Sequence, residues 1–139
     1  ARALHLAEEL GAATTSAEAI ATVEADILAP CALGKVLNAG SIAGLRVKAV
    51  AGGANNQLET DADGDGLAAR GIIYAPDYVI NAGGIINVLR HIGSAGDAKV
   101  NARIDAISVR LNEIWDESTA SGETPAQVAD RIARGLIGR

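Results

Sequence analysis

Three stretches of this sequence carry residue types that could hold and orient a small ligand without charge. Ala29-Pro30-Cys31-Ala32 follows the apolar run Ile27-Leu28, and Gly52-Gly53-Ala54-Asn55-Asn56-Gln57 follows Val47-Lys48-Ala49-Val50-Ala51. Asn81-Ala82-Gly83-Gly84 follows Tyr78-Val79-Ile80 and opens into Ile85-Ile86-Asn87-Val88. A carboxamide offers two donors and an acceptor, so Asn55, Asn56 and Asn81 can orient an amine or a ribose hydroxyl without adding a charge. Glycine and alanine leave the backbone uncovered, so a flat ligand can approach it closely. Ile85 and Val88 share one face of a helix and can contact an aliphatic group.

These residues need a scaffold that brings three turns together. Each motif reads as a strand that stops at small or polar residues, as where an α/β sheet presents ligand-binding groups beyond the carboxyl ends of its strands. Strands are expected over Asp26–Ala29, Arg46–Ala51 and Gly71–Ile80, with Pro76 as a break because it cannot donate to a ladder. Ala12–Thr14 reads as a further short strand. Asn38–Leu45 reads as a short helical or irregular crossover, and helices are expected over Ala1–Leu10, from a Thr15/Glu18 capping box to Val23, from Gly83 to about Ile92, and over Lys99–Trp115. In the last of these Val100, Ile104, Ile107, Leu111 and Ile114 recur at helical spacing. Gly93–Asp97 reads as a loop and Ser118–Glu123 as a polar linker. Thr124-Pro125 starts a final helix with Val128, Ile132 and Leu136 on one face. Those two amphipathic helices must pack on the domain's flank, on further protein or on another subunit.

Composition excludes several classes. The formal net charge is −5, and no basic patch exists to neutralise phosphates, so nucleic acid is not an expected partner. No window reaches the roughly 18 apolar residues of a membrane helix. Hydrophobic residues make up 49% of the chain while aromatics are scarce. Small apolar cores of that kind suit helices packed closely on a parallel sheet. Cys31 is the only cysteine, which excludes an internal disulfide; it reads as a small, partly buried pocket residue. Asp61-Ala62-Asp63-Gly64-Asp65-Gly66 mimics the start of a calcium loop, but position 12, which needs a bidentate glutamate, is Ile72. It reads as an acidic turn before a short helix, Leu67–Arg70, and no metal site is nominated. His5 reads as a surface or satisfied side chain. The chain starts at Ala1 and has no methionine, so a processed chain or a piece of a longer one is expected. Nothing in it reads as a targeting segment, and a cytoplasmic location is expected.

In these residues the chain resembles the leucine/phenylalanine/valine dehydrogenases of the wider glutamate dehydrogenase superfamily. The resemblance rests on Ala29-Pro30-Cys31-Ala32-Leu33-Gly34, on Ala51-Gly52-Gly53-Ala54-Asn55-Asn56-Gln57-Leu58 and on Tyr74-Ala75-Pro76-Asp77-Tyr78-Val79-Ile80-Asn81-Ala82-Gly83-Gly84, in the family's order. It covers nearly the whole chain but only the C-terminal part of such an enzyme. The implied fold is α/β: a Rossmann-like doubly wound parallel sheet, truncated at its N-terminus, with C-terminal helices. The G-x-G-x-x-G turn that opens a complete dinucleotide-binding unit is absent from this sequence. Residues 1–97 are therefore expected to form a partial dinucleotide-binding domain, and residues 98–139 a C-terminal helical segment.

The implied reaction is oxidative deamination of an L-amino acid to its 2-oxo acid and ammonia, with NAD as hydride acceptor. By resemblance Ala29, Pro30, Cys31 and Ala32 lie along the cofactor. Asn55 and Asn56 contact the nicotinamide ribose and the substrate amino group, with Asn56 the stronger choice for substrate. Asn81 and Gly83 border the nicotinamide, and Ile85 and Val88 line the side-chain pocket. The family's catalytic lysines and aspartate belong to a separate N-terminal domain. Lys35, Lys48 and Lys99, the only lysines here, match none of them, so no catalytic residue is nominated. The aliphatic pair favours leucine or valine over phenylalanine, and a homo-oligomer is expected. After Val88 the family commonly continues with a small residue and acids, whereas this chain has Leu89-Arg90-His91; Arg90 and His91 read as a solvated helix face. A stand-alone, non-catalytic binding or assembly module is the other reading. A 2-hydroxy-acid enzyme would need an Arg–His pair aimed at the substrate, and neither His5 nor His91 sits at a strand end.

Overall fold

The computed structural model describes residues 2–93 and 96–138. Ala1 in the expected first helix, Ser94 and Ala95 in the expected loop, and Arg139 lie outside the described residues. Three short strands, β1 (Ile27–Leu28), β2 (Ala49–Val50) and β3 (Ile73–Tyr74), form one parallel sheet in that order. Ala49 pairs with Ile27 and Ile73, and Val50 with Leu28 and Tyr74. The helices are α1 (Arg2–Leu10), α2 (Ala39–Gly44), α3 (Asp61–Ala69), α4 (Asp77–Ile80), α5 (Gly83–His91), α6 (Asp97–Ser121) and α7 (Pro125–Ile137), with a 3₁₀ turn at Ile20–Thr22. The class is α/β with a parallel sheet, as the strand-end motifs imply.

Register decides what each sheet face does. Val50 and Tyr74 share one face and are buried in a core with Leu37, Ile42, Leu45, Leu67 and Ile72, against which Leu28 also packs. Burying side chains of this size contributes about 1.5–3 kcal/mol each. Arg70 ties this side together by donating to the carbonyls of Ile42 and Leu45 at the end of α2, where a cation also meets the helix dipole. The opposite face presents Ile27, Ala49 and Ile73, and Ile27 and Ile73 are 59% and 54% exposed. The two edges differ as well. At β3 the Trp115 indole N–H of α6 donates to the Tyr74 carbonyl at 3.0 Å, which occupies an edge acceptor. At β1 no further strand pairs among the described residues.

The last two helices pack on the domain's flank. Ile114, Val128 and Ala129 form a second small core with Val79 and Ile132, and Gln127 of α7 donates to Asp65 of α3 at 3.0 Å. Thr124 and Gln127 form the reciprocal cap that starts α7, with Pro125 in its first turn.

Several local expectations are corrected. Tyr78, Val79 and Ile80 are strand formers by type, yet they lie in the helix α4. Pro76 at φ −54° ends the strand, and the Asp77 carboxylate accepts the Tyr78 N–H at 2.7 Å, so helix replaces ladder. Asn81 consequently closes a helix rather than a strand. The acidic stretch from Asp61 is not a turn but the first turns of α3. Asp63 Oδ2 accepts from the Thr60 N–H and the Thr60 hydroxyl, both at 2.8 Å, which commits that carboxylate to a helix start. Ala12–Thr14 forms no strand. Ser16, not Thr15, accepts from the Ala19 N–H. The helix α6 absorbs Ser118–Ser121 from the expected linker. Arg90 does not merely face solvent: it pairs with Asp97 at 2.8 Å and donates to Asn101 at 2.9 Å.

Candidate functional site

The turns after β1 and β2 are knitted together by close backbone approach. A Cβ on Gly52 would overlap the backbone N and O of Pro30, and one on Gly34 would meet the carbonyl oxygens of Asn55 and Asn56 at 2.6 and 2.8 Å. Only glycine fits either place. The Ala54 N–H then donates to the Pro30 carbonyl at 2.9 Å, and the Lys35 N–H to the Asn56 carbonyl at 2.6 Å. Lys35 and Asn56 both adopt left-handed backbone conformations, at φ 59° and 53°. Such geometry costs of order 1–3 kcal/mol per residue and clusters at functional sites.

Beneath this turn Gln57 is fully buried. Its side-chain Nε2 donates to the Gly52 and Ala54 carbonyls at 2.7 and 3.0 Å. Its backbone N–H donates to Asp77 Oδ2 at 2.8 Å. Asp77 is itself buried and spends its other oxygen on the Tyr78 N–H. The turn after β2 is thereby fastened to the segment after β3. Across the top the two carboxamides meet: Asn81 Nδ2 donates to Asn55 Oδ1 at 2.6 Å. Among the described residues the Asn55 amide N–H groups and Asn81 Oδ1 have no further protein partner, so donors and an acceptor face outward together.

The nominated residues separate into two groups. Ala29, Cys31 and Ala32 lie exposed in the loop after β1, while Pro30 is buried. Cys31 is exposed rather than partly buried; its Sγ only receives the Gly53 N–H at 3.4 Å. Asn55, Asn81 and Gly83 lie at the neighbouring turns. Asn56 diverges from Asn55: its left-handed backbone turns it into the wall of a cavity of about 360 Å³ with Tyr78, Asp61, Asp130 and Arg134. Asn55 is therefore Asn81's partner. Ile85 and Val88 stand on the outer side of α5 and are exposed, and neither lines a cavity among the described residues. A larger cavity of about 870 Å³ between α5, α6 and α7 is lined by Ile86, Ile107 and Ile132 and includes none of the nominated residues.

The perturbed hydroxyls near the site do not supply a base. Burial, then the charges of Asp130, Asp77 and Asp61, push the Tyr78 hydroxyl up to about 12. Burial and then Asp77 raise Tyr74 still further. Both remain phenols near neutrality. Sequence reasoning missed Gln57 and Asp77 as organisers. The available signal was two polar residues embedded within otherwise small or apolar motifs.

Comparison with known proteins gives a consistent result. The family model described as Glutamate/Leucine/Phenylalanine/Valine dehydrogenase matches residues 3–122. The chain is 42% identical over 130 residues to a leucine dehydrogenase of Bacillus cereus, covering 94% of this chain and 36% of that protein. It is 44% identical over 119 residues to a phenylalanine dehydrogenase of Bacillus thermotolerans, covering 86% and 31%. The crystal structure of L-tryptophan dehydrogenase from Nostoc punctiforme superposes with a TM-score of 0.90 at 37% identity, over 98% of this chain and 41% of that one. The chain thus spans between 31% and 41% of the length of these relatives.

Proposed function

We propose that this chain, which belongs to the glutamate/leucine/phenylalanine/valine dehydrogenase family, is the C-terminal NAD-binding portion of an enzyme that oxidatively deaminates an aliphatic L-amino acid. The observation that carries this reading is the contact between Asn55 and Asn81 at the carboxyl ends of β2 and β3. It leaves neutral donors and an acceptor beside uncovered glycine and alanine backbone, which suits a nicotinamide and its ribose. When bound there, NAD would accept the hydride that leaves the substrate Cα; water then converts the resulting imine to the 2-oxo acid and ammonia. The chain's own residues orient the reacting groups through Asn55 and Asn81. Ala29 to Ala32 and Gly83 leave room for the ring, and Ile85 and Val88 supply an apolar wall. Asn56 keeps its assigned role towards the substrate only if ligand binding turns it out of its present cavity.

The open edge of β1 and the exposed Ile27 and Ile73 support residues 1–97 as part of a larger sheet domain, with 98–139 as its helical flank. The glycine turn for the pyrophosphate and the proton-transfer groups would come from the rest of the enzyme, which would be a soluble homo-oligomer. No helix among the described residues is long and apolar enough to cross a membrane.

The test is amino-acid-dependent reduction of NAD and NADP by the full-length parent, using leucine, valine, phenylalanine and tryptophan. NAD reduction fastest with leucine or valine is expected. Faster turnover of phenylalanine would favour the aromatic alternative, and none with any amino acid would favour a non-catalytic module.

A further inference from the structure

We infer that Asp77 and Gln57 form a buried brace that positions the Asn55–Asn81 pair, making both of them positioning residues for the reaction proposed above, on which this inference rests. Asp77 is a charged carboxylate only 8% exposed, and no cation pairs with it among the described ion pairs. Its two oxygens are instead spent on backbone N–H groups, one of Gln57 in the turn after β2 at 2.8 Å and one of its own neighbour Tyr78 in α4 at 2.7 Å. Charge-assisted bonds of this length are the strong kind; the Tyr78 bond holds the carboxylate at the start of its own helix, and the Gln57 bond fixes the turn after β2 against that helix. Asn55 lies two residues before Gln57, and Asn81 closes the short helix that Asp77 begins. A shift at the carboxylate therefore propagates directly to the two carboxamides.

Gln57 holds the other half of the geometry. Its Nε2 is clamped between the Gly52 and Ala54 carbonyls, while its Oε1 is buried without any hydrogen-bond partner. The two carbonyl acceptors on one side fix which way the amide faces. The side chain acts as a strut under the glycine turn, and the unpartnered oxygen marks a site where polar satisfaction has been given up for position. An apolar residue of that size would leave the Gly52 and Ala54 carbonyls without this donor.

The experiment compares kcat/KM for leucine-dependent NAD reduction in the full-length enzyme, as wild type, Asp77→Asn, Asn81→Ala and the double variant, below the melting temperature of each. Asp77→Asn keeps the shape but sets an amide donor against one backbone N–H. The expected result is a folded protein with kcat/KM reduced about tenfold, and a further loss of less than about twofold when Asp77→Asn is added to Asn81→Ala, because residues acting through one another are not additive. An equal effect of Asp77→Asn in both backgrounds, or none in either, would overturn the brace. Should Asp77→Asn fail to fold, Gln57→Leu replaces it in the same comparison; if that also fails to fold, the pair is structural only and the inference is wrong. An inactive wild type would refute the functional reading itself, whereas an active wild type with additive variants refutes the brace alone.

Discussion

Substitution of Gly52 by alanine tests whether the turns after β1 and β2 are fitted to one another. The added methyl would overlap the Pro30 backbone N and O and lie 2.6 Å from Pro30 Cδ. None of these atoms belongs to a flexible side-chain end, so the whole 51–57 turn must move. That movement breaks the 2.9 Å bond from Ala54 to the Pro30 carbonyl and loosens the 2.7 Å bond from Gln57 to the Gly52 carbonyl. Overpacking costs about 1–3 kcal/mol and each hydrogen bond about 1 kcal/mol, so a loss of about 2–5 kcal/mol is expected. Gly135→Ala is the control. Gly135 lies within α7 with nothing near its missing Cβ, so alanine should stabilise by about 0.5–1 kcal/mol. Urea unfolding of the full-length protein gives the global change, and amide exchange across residues 51–57 gives the local one. The reasoning is refuted if Gly52→Ala lies within about 0.5 kcal/mol of wild type with unchanged protection of the turn.

Two other perturbations read different parts of the structure. Trp115→Phe removes the indole donor to the Tyr74 carbonyl and should cost about 0.5–1.5 kcal/mol in urea unfolding; an unchanged midpoint would show that the β3 edge does not need this seal. The Tyr78 hydroxyl, pushed up to about 12, makes the neutral phenol the favoured form in the folded state. Its contribution to stability is therefore complete below about pH 10, the ordinary value, and is lost as pH rises from there to about 12. The ultraviolet difference titration of wild type against Tyr78→Phe should show its midpoint near the upper end of that window, and a midpoint near the ordinary value in the folded protein would contradict the partial desolvation and the nearby Asp130, Asp77 and Asp61 charges as its cause.

Much of the arrangement around the candidate site was legible along the chain because strand ends announce themselves by composition. Ala29 to Ala32, Asn55, Asn81 and Gly83 reach neighbouring turns of one parallel sheet, and the Thr124-Pro125 signal marks the start of α7 where a local cap forms it. What was not legible depended on backbone sign and burial. The left-handed conformation of Asn56 decides which of two adjacent carboxamides faces Asn81, and residue type does not encode it. Tyr78-Val79-Ile80 has strand-forming side chains, but Pro76 and the Asp77 carboxylate override that preference locally. Gln57 and Asp77 look solvated in one dimension; their burial follows only once two turns close over them.

The most direct test of the proposed site is the double-mutant cycle of Asn55→Ala and Asn81→Ala in the full-length enzyme, read as kcat/KM for leucine-dependent NAD reduction. Loss of a hydrogen bond to a polarised ligand is worth about 1.5–3 kcal/mol, so each single variant should lose about tenfold to a hundredfold. The two side chains touch at 2.6 Å, so the double variant should lose less than the product of the singles. Both single variants remaining within about twofold of wild type would contradict the assignment and move the reacting site away from these strand ends.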